Sequence, residues 1–154
     1  MAVLFTTVKN TNQETIIHFD TVLAESGTIA LNSLGAATQA LTSGGTPTVN
    51  IVKFVCTGQL GAGTRIVRNG KNIIACAPEN APYFDFTQNG WSDNTNNTYD
   101  IVVTNDAAKP VTGYLVLRKV AGWTTKVETA TLGAYDDETR VGASTTISGS
   151  PDKV

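Results

Sequence analysis

Apolar and polar side chains alternate from Glu14 to Val22, with Ile17, Phe19 and Thr21 on one face and Ile16, His18 and Asp20 on the other. Successive side chains of a strand point to opposite faces, so this period of two predicts a half-buried β-strand. Thr28 to Leu31 reads as a further short strand. Between Ala30 and Leu41 the spacing changes: Ala30, Leu34, Ala37 and Leu41 fall on one side of a helix. Gly35 lies within that stretch, where glycine costs a helix about 1 kcal/mol relative to alanine. The pattern therefore allows one short helix over 30–41. Residues 42–47, Thr-Ser-Gly-Gly-Thr-Pro, form a loop. Val49 to Thr57 follows as a strand rich in β-branched residues, and the glycines at 58, 61 and 63 end it.

Arg65 to Arg68, Asn69-Gly70 and Lys71 to Cys76 together predict a β-hairpin. Asn-Gly accepts the positive φ angles of a type I′ turn, whose twist matches that of the flanking strands. A two-residue loop sets Ile66 opposite Ile73 and Arg68 opposite Lys71. Two opposed cations repel mildly, which favours a place near solvent or facing an acidic partner. Ala77 to Tyr99 reads as a long connection, with Tyr83, Phe84, Phe86 and Trp91 set among prolines and a polar run. Strands resume at Asp100 to Thr104 and Gly113 to Val120. No repeat of fixed period is evident.

The character of the chain changes after Trp123. Residues 124–154 hold few large apolar side chains and many Thr, Ser, Gly and acidic residues, too little apolar surface to offset the entropy of ordering alone. The expectation is a β-domain over 1–123 and an extended or flexible C-terminal arm over 124–154. The fold class is all-β: an antiparallel β-sandwich or jelly-roll-like barrel.

Composition narrows the set of partners. Only 16% of the 154 residues are charged, and 24 Thr and 12 Asn take their place. A polar but weakly charged surface suits contact with other protein. The net charge is −2, and the Lys and Arg residues are scattered rather than gathered into the basic footprint of a nucleic-acid binder. Neither a basic start with a long apolar run nor a membrane-length apolar window is seen. The expectation is a soluble protein with no signal peptide and with no membrane or nucleic-acid partner.

Candidate chemistry is sparse. His18, the single histidine, sits mid-strand and reads as structural rather than as a general base. Cys56 alternates with Val52 and Phe54 and so points into a core, while a bridge to Cys76 is not excluded by spacing. One histidine and two distant cysteines do not assemble the usual zinc ligand set. GxSxG and HExxH are absent, and Gly61 and Gly63 lack the Lys-Ser or Lys-Thr of a phosphate-binding loop. Asp85, Asp93 and Asp100, with Asn89, Asn94 and Asn96, offer oxygen ligands for calcium. The run from Asp93 nevertheless has no glycine at its sixth place and no closing Glu, which leaves a solvated loop as the simpler reading. Tyr83, Phe84, Phe86 and Trp91 either plug one end of a sandwich or stack on sugar rings. The chain reads as a non-enzyme with no cofactor or metal.

The order of elements resembles the small β-sandwich virion proteins of tailed bacteriophages. The resemblance covers roughly residues 45–123. It rests on the Arg65–Cys76 hairpin with its Arg-Asn-Gly turn, on the polar connection ending in Thr98-Tyr-Asp-Ile-Val-Val-Thr104, and on a closing strand ending Leu117-Arg-Lys-Val-Ala-Gly-Trp123. The Thr/Asn/Gly-rich, histidine-poor composition and the trailing arm are similar to capsid decoration (cement) proteins. That resemblance implies a homo-oligomer, often a trimer, on the outside of a phage head, bound to the major capsid protein or other virion proteins and clamping adjacent capsomers. The residues singled out for such contacts are Arg68 and Lys71 at the hairpin and Asp136, Asp137 and Arg140 in the arm. A neck, tail or fibre component of the virion, and a carbohydrate-binding β-sandwich, are the competing readings.

Overall fold

The computed structural model describes residues 3–87 and 95–125. Among them are eleven strands: β1 (Leu4–Asn10), β2 (Glu14–Thr21), β3 (Glu25–Ile29), β4 (Gln39–Leu41), β5 (Thr48–Gly58), β6 (Thr64–Arg68), β7 (Lys71–Cys76), β8 (Tyr83–Asp85), β9 (Ile101–Asn105), β10 (Val111–Ala121) and β11 (Trp123–Thr125). A five-stranded sheet has the order β1-β2-β10-β5-β8, a four-stranded sheet has the order β3-β9-β6-β7, and β11 pairs with β4. The pairings within the two large sheets are antiparallel. Their inner faces share one core: Ile17, Phe19, Phe54 and Leu115 from the five-stranded sheet meet Ile29, Ile66, Ile101 and Val103 from the four-stranded one. The fold is the all-β, antiparallel sandwich that the alternation implied.

The alternation fails to single out β1. This strand pairs only with β2 at a sheet edge and is exposed at nearly every position, so no single face of it is apolar. The helix allowed over 30–41 does not form. Leu31–Ser33 makes one 3₁₀ turn and Gln39–Leu41 makes β4. Leu31 and Leu34 are both buried, and the Leu31 N–H donates to the Asp100 carboxylate (2.9 Å), so this turn is held by tertiary contacts rather than by a helical ladder.

The hairpin forms as expected, with positive φ at Asn69 (51°) and Gly70 (69°) and with Arg68 opposite Lys71. Its register departs from expectation one step further on. A bulge between Ile66 and Val67 sets Ile66 opposite Ile74 rather than Ile73. Ile74 is thereby buried at 5%, while Ile73 packs at the edge of the core. A second bulge explains why Ile51 and Val52 are both buried although adjacent. Val116 pairs with Lys53 and Leu117 with Ile51, which leaves Val52 as the extra residue.

Gly113 stands where β10 is pressed between its neighbours, opposite Phe19 of β2 and Cys56 of β5. A Cβ there would collide with the Val55 carbonyl oxygen and lie 2.7 Å from Phe19 Cζ and 2.8 Å from Cys56 Cβ. Backbone in a central strand has little room to yield, so Gly113→Ala is expected to cost about 2–3 kcal/mol in urea denaturation.

An ion pair joins β6 to the residue after β9. Arg65 grips Asp106 through Nη2–Oδ1 (2.8 Å) and Nε–Oδ2 (3.0 Å). These hydrogen bonds hold the Asp106 carboxyl below its ordinary value. A carboxylate lowered in this way contributes stability above its unfolded pKa, about 3.9, and that contribution is lost as pH falls through the folded value. Asp106→Asn should therefore lower stability slightly at neutral pH, where the pair is intact, and flatten the acid limb of a stability-against-pH curve, so that the variant and parent curves converge as pH falls below about 4.

Candidate functional site

Two of the five residues singled out at the sequence level lie within the described structure, and the fold separates their roles. Lys71 is exposed at the hairpin turn. Arg68 is 1% exposed, which corrects the expectation that both cations would sit near solvent. The cause is strand parity. Thr64, Ile66 and Arg68 share the inward face of β6, so the guanidinium enters the space between the sheets. There Nη1 donates to Val49 O (2.8 Å), Nη2 to Asn97 O (3.0 Å) and Tyr99 O (2.8 Å), and Nε to Tyr99 O (3.0 Å). Val49 belongs to the opposite sheet, and its N–H donates to Asn97 O (2.9 Å). Asn97 Nδ2 in turn donates to Asn50 Oδ1 (3.0 Å). Asp136, Asp137 and Arg140 lie outside the described residues, as do Trp91, Asp93, Asn89 and Asn94.

The acidic candidates that are described serve separate local structures. Asp85 accepts hydrogen bonds from the Thr87 N–H (3.0 Å) and hydroxyl, which hold its carboxyl below the usual carboxylate range. Asp100 holds the Leu31 turn. Among the described residues no group of three His, Cys, Asp or Glu side chains is placed to hold a metal ion. An open groove of about 810 Å³ lies between the β1–β2 turn, residues 36–38 and Arg118, with the Lys9–Glu14 ion pair (3.1 Å) among its lining residues. Behind it Lys119 donates to Asn10 Oδ1 (2.7 Å), Thr11 O (2.8 Å) and Gln39 Oε1 (2.7 Å) and lies 5.6 Å from the centre of the Trp123 ring. Burial pulls the Lys119 ammonium below its ordinary pKa. This lysine ties β10 to the β1–β2 turn and to β4.

Among the described residues of the connection over 77–99, Phe84 and Phe86 serve one task and Tyr83 another. Phe84 stacks on Phe54 (6.3 Å) and Phe86 on Phe84 (6.1 Å), extending the core. Tyr83, one residue earlier, points the other way and is 60% exposed. The first pair fits the plugging reading and Tyr83 does not.

Tyr83 is one end of a row. In register across all five strands stand Thr6, His18, Tyr114, Val55 and Tyr83. Beside this row run Ile16, Val116, Lys53 and Asp85. The His18 and Tyr114 rings lie 4.9 Å apart, and His18 Nε2 is 2.7 Å from Thr112 Oγ1. Tyr114 is 45% exposed and Leu4, near one corner, 63%. Five strands spaced about 4.8 Å apart make this a face roughly 20 Å wide. It is aromatic and aliphatic along the middle, with Lys53, Asp85 and Asp20 beside the apolar positions. Sequence reading missed it. Alternation along β10 does place Tyr114 opposite to Leu115 and Leu117, but the row exists only once the strand order is known.

No protein-family model matches this chain, and no curated protein matches it. Among solved structures, the chain is similar to an uncharacterised conserved protein with a double-stranded β-helix domain from Klebsiella pneumoniae. The identity is 9%, the match covers 82% of this chain and 86% of that one, and the TM-score is 0.40. A likeness of that degree adds nothing to the fold read from the strand pairings themselves.

Replacing Arg68 by Met strands the Val49, Asn97 and Tyr99 carbonyls, so the variant should lose about 3 kcal/mol of unfolding free energy. Arg68→Lys should recover little of it, because a single ammonium cannot match the guanidinium fork. Lys71→Ala, at the exposed turn, should stay within about 0.5 kcal/mol of the parent in the same denaturation measurement.

Proposed function

We propose that this chain is a non-enzymatic structural protein that attaches to other protein subunits through the outer face of its five-stranded sheet. The observation that carries the reading is the register row His18–Tyr114–Val55–Tyr83, in which the exposed Tyr114 and Tyr83 flank the half-buried Val55 on the outer face of the sheet. Aromatic side chains in the middle of a face with charges beside them match the composition of protein–protein interfaces. Few charges have to be desolvated when such a face is covered. The buried Arg68 network supports the same reading, since a stiff sandwich presents the row without ordering cost at each encounter.

The resemblance to phage decoration proteins supplies the assembly. In this proposal the partner is the major capsid protein or another virion protein, and the chain binds the outside of a phage head and stabilises contacts between capsid subunits. Association of copies into a homo-oligomer, such as a trimer, would raise the effective concentration of each weak contact. A second reading has one specific observation in its favour. Tyr83 and Tyr114 are both exposed on one sheet face, an arrangement that also stacks on sugar rings.

Electron microscopy of the native particle tests the assembly. Hundreds of copies per particle are expected, and a dozen or fewer would place the chain at a neck, tail or fibre instead. The double variant Tyr83→Ala/Tyr114→Ala tests the face. It should fold normally, since both side chains are exposed, yet bind stripped particles at least ~10-fold more weakly. Unchanged binding would remove the face from the proposal. Glycan-array binding by the parent that the double variant loses would favour the carbohydrate reading.

A further inference from the structure

Cys56 lies in β5 of the five-stranded sheet and Cys76 ends β7 of the four-stranded sheet, so the two meet across the interior of the sandwich. Their Sγ atoms are 3.8 Å apart and both thiols are free. Cys56 is 1% exposed, and its N–H donates to Pro82 O (3.3 Å). Cys76 is half-buried and belongs to an edge strand, next to the turn at Pro78–Asn80. The two thiols are therefore unequal: one is reachable from solvent and the other is enclosed beside it.

We propose that Cys56 and Cys76 form a reversible dithiol–disulfide site that staples the two sheets together. Closing the bond needs the sulfurs to approach to about 2.05 Å, and the edge position of Cys76 supplies the freedom to move. The inequality sets the order of events. A hydrogen bond from Cys56 favours the Cys76 thiolate and lowers its pKa, while the same contact together with burial raises that of Cys56. Cys76 is thus the attacking sulfur.

The oxidant is a low-molecular-weight disulfide of the glutathione type. The Cys76 thiolate attacks one sulfur of that reagent, the S–S bond of the reagent breaks, and one reagent thiolate leaves. The Cys56 sulfur then attacks Cys76 in the mixed disulfide, its proton passes to the departed thiolate, and the second reagent thiolate leaves and takes a proton from water. The protein loses two electrons and two protons in all, and the reagent departs as two thiols. The bridge closes a loop across 20 positions that contains the whole β6–β7 hairpin, and with it Arg68. This inference does not depend on the docking face.

The full chain, reduced and then treated with oxidised glutathione, provides the test. Both thiols should vanish together from a thiol titration, and the monomer mass should fall by two hydrogens. The melting temperature should rise by roughly 5–10 °C and return on reduction. Cys76→Ser should abolish both the rise and the thiol reactivity of the native protein, because Cys56 is enclosed. A persistent glutathione adduct on Cys76, a dimer linked between chains, or a bridged monomer that melts no higher than the reduced one would overturn the proposal. The mass and titration on the unmodified chain decide the matter even if the variant folds poorly.

Discussion

A guanidinium held between two β-sheets needs every one of its donors directed, because taking a charge out of water is costly unless hydrogen bonds replace the lost solvation. Arg68 turns all three of its guanidinium nitrogens toward main-chain carbonyls, of Val49 in β5 and of residues 97 and 99, at 2.8–3.0 Å. Those carbonyls come from β5 of the five-stranded sheet and from the segment that leads into β9 of the four-stranded one. One side chain therefore fixes the hairpin, the segment leading into β9 and the start of β5 relative to one another. The apolar core alone would tolerate small slips between sheets, since hydrophobic contact is non-directional. A fork of hydrogen bonds with fixed geometry does not.

The bulges and the compact glycine do related work around this anchor. The extra residues in β5 and β7 let the strands twist while Ile66, Ile74, Ile51 and Val52 all remain buried. Gly113 lets β10 lie close against Phe19 and Cys56. In the proposed function it is the outer face of the five-stranded sheet that meets partner subunits. Its aromatic band is assembled from β2, β10, β5 and β8, which are distant in the chain and adjacent only in the sheet. Lys119, with its three oxygen acceptors, secures the far end of β10 against the β1–β2 turn.

The sequence was most legible where a local rule acts alone. The Asn69-Gly70 turn needs positive φ at two successive residues and selects its residues accordingly, and the alternation in β2 and β10 reports one buried and one open face. It was least legible where the deciding partner is remote. Ala30, Leu34, Ala37 and Leu41 have helical spacing, yet the chain there makes only a 3₁₀ turn, Leu31–Ser33, held by Asp100. β1 carries no one-sided pattern because it borders the sheet. Arg68 read as a surface cation because an arginine at the end of a strand usually finds water, and only the approach of the 97–99 carbonyls makes burial affordable. Ile73 and Ile74 are equally apolar, so nothing local says which of them a bulge will turn inward.

What the sequence determined by itself is the class of structure: strands of known facing, their turns, and a weakly charged surface, all consequences of side-chain period and composition. Strand order, the bulged registers, the burial of Arg68, the meeting of Cys56 with Cys76 and the Tyr114–Tyr83 row were decided by the tertiary structure. The physical reason is common to all of them. Each depends on which strands lie side by side or face to face, and that choice is made by the cooperative filling of one core rather than by any segment alone.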